Sequence, residues 1–315
     1  MGTEFRILLY IDGAERAQVA ARAAFDRIHA LDAAMSDYIE SSELSRLSAS
    51  AGSGEWRPVS DDLWRVLSLA QYFSEASSGA FDITVGPAVE LWRRARRQSE
   101  PPKPERIENA LASVGWRKLR LDASARAALL EVAGMKLDLG GIAKGYALDQ
   151  ALEALAQHGV ESALVDDGGG VAVSGAPPGT SGWRIRVDPF ENGSAAVEIE
   201  LAHASIATSG DASRALEFEG RRYSHVVDPR TALALTSRVA ASVVAADGTT
   251  ADALATALCV LGPSAGLELA LAQTGVEARI ARETDRGVET ALTPGFERLI
   301  LTGLRASRAD PETRP

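Results

Sequence analysis

The fold is decided in one stretch of the sequence, Lys136-Leu-Asp-Leu-Gly-Gly-Ile-Ala-Lys-Gly-Tyr-Ala-Leu-Asp149. Its apolar beginning predicts a short strand over 136–139, and its paired glycines lead into a helix predicted over 146–158. The first turn of a helix exposes unpaired N–H groups, and glycine lets a ligand approach the backbone closely. With the positive charge of Lys144, the stretch predicts a phosphate-binding turn. The alternative is an ordinary strand-to-helix turn with a solvated lysine.

On both sides of this stretch, short apolar runs alternate with single helices. A helix is predicted over 14–35 because its apolar residues recur at steps of three and four. The segment 45–58 is rich in serine, glycine and alanine, which predicts a loop. The predicted helices are too few for a complete series of βαβ units. The sequence therefore predicts an α+β fold with mixed, largely antiparallel sheets packed with helices.

The chain has 315 residues, of which 46% are hydrophobic and 24% are charged, as in an ordinary folded protein. We predict a single domain over residues 1–305. If it consists of two interlocked lobes, they are expected to meet near 100–135, a region that begins with three closely spaced prolines. Residues 306–315 are predicted to form a frayed polar tail.

Charge and hydropathy exclude several classes of protein. The net charge is −10, with 33 basic and 43 acidic residues, so a nucleic-acid-binding surface is not expected. No apolar run approaches the roughly 18 residues of a membrane-spanning helix, so no transmembrane segment is predicted. The single cysteine, Cys259, excludes an internal disulfide and is predicted to be a buried structural thiol.

A second motif is the pair Asp252 and Thr256, four residues apart on a helix predicted over 250–261. This spacing places both oxygen-bearing side chains on one helix face. Carboxylate and hydroxyl oxygens suit a hard cation such as Mg²⁺. The alternative is that Asp252 only complements the positive end of the helix dipole.

Two further motifs carry polar side chains next to turns. A strand predicted over 222–227 carries His225 and runs into the turn Asp228-Pro229. His225 is a candidate base or a structural histidine. In Gly79-Ala-Phe-Asp82, the carboxylate of Asp82 is placed either to contact a ligand or to cap the following segment.

Taken in order, these segments resemble the ApbE family, the FAD:protein FMN transferases. The matching motifs are Met1-Gly-Thr3, Ser36-Asp-Tyr38, Ser42-Glu-Leu-Ser-Arg-Leu47, Gly79-Ala-Phe-Asp82, Val85-Gly-Pro87, Asp138-Leu-Gly-Gly-Ile-Ala-Lys-Gly-Tyr-Ala147, Gly168-Gly169, Thr208-Ser-Gly210, Tyr223-Ser-His225 and Ala251-Asp-Ala-Leu-Ala-Thr256. Each motif alone is weak, but together they extend to about Gly262 in register.

The resemblance implies an FAD site and a magnesium ion. The positions that match flavin- or nucleotide-contacting residues of the family are Met1, Tyr38, Ala80, Phe81, Asp82, Asp138, Lys144 and Val227. The metal ligands would be Asp252, Thr256 and the backbone carbonyl of Gly141. The turn at Gly141 and the helix of Asp252 are then expected to hold one pyrophosphate-bound cation from two sides.

The implied reaction is Mg²⁺-dependent transfer of FMN from FAD to a threonine hydroxyl in a motif of an acceptor flavoprotein, with release of AMP. The expected catalytic residues are His225, Asp138 and Lys144, with His225 as the leading candidate for the base and Asp138 or Asp252 as rivals. Two other functions stay open: an FAD-binding module or store without turnover, and a Mg²⁺-dependent FAD pyrophosphatase that yields FMN and AMP.

The sequence departs from the family pattern at a few positions. Ser48 stands where asparagine is usual, Ala232 and Ala234 replace a glycine and a proline after Asp228-Pro229, and Asp166-Asp167 precedes the paired glycines. The first two changes bear on the balance between transfer and hydrolysis and on acceptor access, and the third adds negative charge. Residues 1–11 lack the features of a signal peptide, so a cytoplasmic location is expected. Removal of a leader would instead imply a periplasmic or membrane-anchored lipoprotein.

Overall fold

The computed structural model describes residues 2–193, 195–210 and 215–301, so Met1 and the predicted tail 306–315 lie outside the described residues. Its elements in chain order are β1 (Arg6–Tyr10), α1 (Ala14–Met35), α2 (Glu43–Ala49), β2 (Arg57–Pro58), α3 (Asp61–Ala76), α4 (Gly86–Gln98), α5 (Pro104–Ala112), a 3-10 turn (Trp116–Lys118), β3 (Leu119–Asp122), β4 (Ala127–Leu130), α6 (Ala143–Gln157), β5 (Ser162–Asp166), β6 (Gly170–Val173), β7 (Trp183–Val187), β8 (Val197–Leu201), β9 (Ala204–Gly210), β10 (Leu216–Phe218), β11 (Arg221–Tyr223), β12 (Val227–Asp228), β13 (Leu233–Ala234), β14 (Val239–Ala245), α7 (Gly248–Leu271), β15 (Glu277–Thr284), β16 (Gly287–Leu292) and α8 (Pro294–Leu299).

The main sheet has seven strands in the order β1-β5-β6-β9-β14-β15-β16. All of its neighbouring strands pair antiparallel. A three-stranded sheet, β2-β4-β3, and the ribbons β7-β8, β10-β11 and β12-β13 complete the described strands. A parallel contact occurs at the isolated bridge between Val85 and Lys136. The predicted α+β fold with largely antiparallel sheets is therefore confirmed.

The two faces of the main sheet are covered differently. Side chains alternate between the two faces along a strand. On one face, Ala207 and Val243 belong to the apolar core beneath α7. On the other face, Ile206 and Val244 pack with the β7-β8 ribbon and α8. Helices α1 and α6 pack on strands β5 and β6 through a further apolar cluster. The helical face therefore carries α6 and α7 side by side.

Helix α7 is the central core helix. It packs against β9, β14, β15 and α6, and residues 251–255 are all buried. Its regular conformation is interrupted at Gly262, where φ is 74°, just before Pro263. Among the described residues it is the one helix long and apolar enough by length and composition to cross a membrane, and half of that window is buried inside the protein.

Three sequence-based predictions of local structure were wrong. The strand predicted over 222–227 is interrupted, because β11 ends at Tyr223 and β12 begins at Val227, so His225 lies between two short strands. Residues 136–139 do not form a strand, because the segment is held by single contacts: the Leu137 N–H donates to Ser48 Oγ, and the Asp138 N–H donates to the Ile83 carbonyl. The predicted loop 45–58 overlaps α2 over residues 45–49, where Leu47 is buried. In the segments 45–58 and 136–139, tertiary packing outweighs the local composition.

The carboxylate of Asp149 on α6 connects this helix to the first turn of α7. It accepts hydrogen bonds from the backbone N–H of Gly248 at 2.5 Å and of Thr249 at 2.9 Å, and from the Thr249 hydroxyl at 2.5 Å. Burial raises the pKa of Asp149 to about 6, although these hydrogen bonds act in the opposite direction.

This pKa predicts a pH-dependent contribution to stability. The folded-state pKa of about 6 lies above the ordinary value of 3.8, so the folded state binds this proton more tightly than the unfolded state does. The stability of the unmodified protein relative to Asp149→Asn should therefore rise by about 2–3 kcal/mol as the pH falls from 7 to 4. Urea unfolding of both proteins at several pH values measures this difference; a constant or shrinking difference contradicts the prediction.

Candidate active site

A cleft of about 330 Å³ opens where the start of α6, helix α7, strand β9 and the loops before α4 and β12 meet. Every predicted site residue in the described part of the chain lines it: Tyr38, Ala80, Phe81, Asp82, Asp138, Gly141, Lys144, His225, Val227, Asp252 and Thr256. Met1 lies outside the described residues. The structure thus brings together side chains that are up to about 220 positions apart in the chain, and the roles assigned to them stay predictions.

Close backbone contact between α6 and α7 aligns the two halves of the site. A Cβ atom at Gly145 would lie 2.0 Å from the carbonyl oxygen of Gly248, and one at Gly141 would lie 2.8 Å from Thr256 Oγ1. The Gly145 N–H donates a hydrogen bond of 3.1 Å to Asp252 Oδ2. Glycine is therefore required at position 145 for steric reasons, and Asp252 and Thr256 lie directly beside the turn before α6.

The position of Asp252 disfavours its alternative role at the helix dipole. Helix α7 begins at Gly248, and the side chain of Asp247 caps it by accepting the Thr250 N–H. Asp252 therefore lies beyond the first turn, where the dipole effect has declined. It is 7% exposed, and burial raises the pKa of its carboxyl, an effect that the ammonium of Lys144 opposes and the carboxylate of Asp167 reinforces.

Lys144, which lines the cleft, lies near two carboxylates, Asp252 in the cleft and Asp167 behind it. Lys144 Nζ lies 3.9 Å from Asp252 Oδ1 and 3.6 Å from Asp167 Oδ2. Asp167 is 2% exposed, and its Oδ2 atom is buried without a hydrogen bond. Buried oxygen atoms with unused acceptor capacity suit a hard cation.

The residues that the resemblance implies for Mg²⁺ fit such a cation by their chemistry. Asp252, Thr256 and the Gly141 carbonyl present only oxygen donors to the cleft, and Mg²⁺ takes oxygen ligands while retaining several waters. Among the residues that the structure describes, no group of three or more His, Cys, Asp or Glu side chains is arranged to hold a metal ion. A cation here would therefore depend on few side chains, backbone oxygen, water and a bound anion.

An arginine network on the opposite wall was not foreseen from the sequence. Arg93 on α4 donates to Asp138 Oδ2 at 2.9 Å and to Asp37, and its guanidinium lies 4.7 Å above the ring of Tyr38. Burial raises the pKa of the Asp138 carboxyl, while Arg93 acts to lower it. A signal for this network was present in the sequence: Val89, Arg93 and Arg96 are spaced by four and three residues, which places them on one face of a helix. All three line the cleft.

Asp82 has a mainly structural position within the cleft wall. One carboxylate oxygen accepts the N–H and hydroxyl of Thr84, both at 2.7 Å, and the other accepts the Trp116 N–H at 2.8 Å. Both oxygens are therefore engaged in fixing the loop that carries Ala80 and Phe81. This arrangement corresponds to the capping alternative for its side chain.

The altered turn after Asp228-Pro229 retains a left-handed residue. Ala232, which stands where the family usually has glycine, has φ of 56° and is fully buried. Its carbonyl accepts a hydrogen bond of 2.9 Å from Trp92 Nε1. This contact from α4 holds the alanine in a conformation that normally favours glycine.

Known proteins share this fold. A model of the ApbE family matches residues 1–280. An FAD:protein FMN transferase from Haemophilus influenzae is 32% identical over 314 residues, covering 96% of this chain and 90% of that protein. Another from Treponema pallidum is 33% identical over 300 residues, covering 88% of this chain and 81% of that protein. The apo crystal structure of the flavinyl transferase ApbE from Pseudomonas stutzeri matches with a TM-score of 0.84 and 31% identity, covering 96% of this chain and 95% of that one.

The antiparallel sheets and packed helices define an α+β protein, and its cleft is lined by a lysine, two arginines and several oxygen-bearing side chains. The family match extends over residues 1–280, and the alignments cover 81–95% of the length of the relatives described above. The chain belongs to the ApbE family. The resemblance based on its motifs is thereby confirmed, and the relatives carry the name of the enzyme class that it implied.

Proposed function

We propose that this protein transfers the FMN moiety of FAD to a threonine hydroxyl of an acceptor protein, with Mg²⁺ as cofactor and AMP as leaving group. The observation that carries the proposal is the contact between the turn at Gly141 and the Asp252–Thr256 face of α7 within one cleft. This contact gathers N–H groups, a lysine and oxygen ligands around the position expected for a pyrophosphate. The names of the relatives support FAD and a protein as the two substrates.

In this proposal Asp252, Thr256 and the Gly141 carbonyl hold Mg²⁺, which neutralises negative charge on the pyrophosphate when bound. Lys144, at the N-terminal end of α6, adds positive charge for the departing phosphate. Tyr38, Ala80, Phe81 and Val227 contribute the less polar walls for the flavin and nucleotide rings. An acidic protein can thus bind an anionic substrate without a large basic surface.

The attacking threonine hydroxyl must lose a proton, and His225 is our leading candidate for the base. It lines the cleft with Val227, and histidine is the side-chain type whose unperturbed pKa lies nearest to neutral. Asp138 is the rival, but its oxygen atoms already accept hydrogen bonds from Arg93 and from the Gly140 N–H at 2.8 Å. These bonds hold Asp138 as a support of the cleft wall and make it the weaker candidate.

Incubation of the protein with FAD, Mg²⁺ and a threonine-containing acceptor domain tests the proposal. We expect mass spectrometry to show covalent FMN on the acceptor and an equal amount of released AMP. Omission of Mg²⁺ or addition of EDTA should abolish both products. An unmodified acceptor with free FMN and AMP would indicate the pyrophosphatase, and bound, intact FAD would indicate the FAD-binding module.

A further inference from the structure

Asp167 is a buried acidic residue that the proposed function does not use. It lies in the turn between β5 and β6, where Oδ1 accepts the N–H groups of Gly169 at 2.7 Å and Gly170 at 2.6 Å. These bonds fix the orientation of the carboxylate. Its Oδ2 atom, buried and without a hydrogen bond, is directed to Lys144 Nζ at 3.6 Å.

Lys144 is therefore shared between two carboxylates. Its distances of 3.6 Å to Asp167 and 3.9 Å to Asp252 both exceed an ordinary hydrogen bond. The ammonium lies near both acids while the Lys144 side chain stays 29% exposed. The formal charges of Lys144, Asp167 and Asp252 add up to −1.

We propose that Asp167 makes anion binding in this cleft depend on a divalent cation. Without the cation, the net negative group repels a pyrophosphate and Asp167 draws Lys144 towards the wall. A divalent cation beside Asp252 reverses the sign of the local charge, so the anion then binds favourably. Asp167 acts through Lys144 and the local field, which makes it a positioning residue. The inference rests on the proposed function in taking a pyrophosphate as the anion and in placing the cation beside Asp252.

Removal of the negative charge of Asp167 should weaken the binding of a cation in the cleft and strengthen the binding of an anion. Asp167→Asn keeps the Oδ1 acceptor for the turn but makes the cleft more positive. At distances of several ångströms in a partly solvated site, a unit charge changes affinity by about ten-fold. A merely structural role for Asp167 would weaken both ligands together.

Isothermal titration calorimetry at low salt measures both affinities without FAD or acceptor. The probes are Mg²⁺ alone and inorganic pyrophosphate in EDTA. For Asp167→Asn we expect about ten-fold weaker Mg²⁺ binding and about ten-fold tighter metal-free pyrophosphate binding. Asp166→Asn is the matched control, because Asp166 is the last residue of β5, directly before this turn, and accepts the Gly168 N–H at 2.7 Å. It should change each affinity by less than about two-fold.

Lys144→Gln provides a second variant with the opposite expected signs, tighter Mg²⁺ and weaker pyrophosphate binding. The proposal would be overturned if Asp167→Asn bound both Mg²⁺ and pyrophosphate more weakly, or bound both with unchanged affinity. It would also be overturned if Asp166→Asn changed the two affinities as much as Asp167→Asn does. If Asp167→Asn fails to fold, the signs found for Lys144→Gln decide. If the Mg²⁺ and pyrophosphate affinities shift in opposite directions but the protein does not transfer FMN, only the proposed function is refuted. If the protein transfers FMN but the affinities do not shift in this way, only the inference about Asp167 is refuted.

Discussion

Replacement of Asp252 by asparagine is expected to lower the rate of FMN transfer by about 10³-fold. Asparagine keeps an acceptor for the Gly145 N–H, so the contact between α6 and α7 should survive. It removes the negative charge that would hold Mg²⁺ beside the pyrophosphate. The loss should therefore appear in the rate and in Mg²⁺ affinity and leave the unfolding midpoint within a few degrees of the unmodified value.

Initial rates of AMP release and acceptor modification at a series of Mg²⁺ concentrations measure this effect. Glu268→Gln is the control, because Glu268 is an exposed acid on the same helix beyond the break at Gly262. It should retain the full rate. Undiminished transfer by Asp252→Asn at limiting Mg²⁺ would refute the assignment of Asp252 as the metal carboxylate.

Gly145→Ala is expected to produce the largest loss of stability, more than about 4 kcal/mol. The added Cβ would lie 2.0 Å from the Gly248 carbonyl oxygen and 2.8 Å from Asp252 Cβ. Neither backbone atoms nor a Cβ can move aside by a rotamer change, so the two helices must separate. This separation would also disrupt the hydrogen bond between the Gly145 N–H and Asp252.

Urea or thermal unfolding of the two forms measures the loss, and Gly169→Ala is the control. A Cβ at Gly169 would meet its nearest neighbours at an ordinary contact distance of 3.5 Å. We expect this variant to change stability by no more than about 1 kcal/mol. If Gly145→Ala is as stable as Gly169→Ala, the close contact between α6 and α7 does not exist in solution.

The spacing of apolar residues along the sequence was sufficient to predict regular helices. The predicted helix over 14–35 has the bounds of α1. Its apolar residues recur at steps of three and four, which is the periodicity of a helix with one buried face. The prediction of a strand over 136–139 was wrong because alternating Leu137 and Leu139 are buried without a partner strand.

Sequence by itself determined the residue types of the site, because glycine at a helix start and oxygen-bearing side chains at helical spacing are local properties. The family membership also followed from motifs in their order along the chain. Only the tertiary structure decided which charges act together. Arg93 meets Asp138 across 45 positions, and Lys144 meets Asp167 and Asp252. These charges interact through space, and their distances depend on how α4, α6 and α7 pack, which no local pattern specifies.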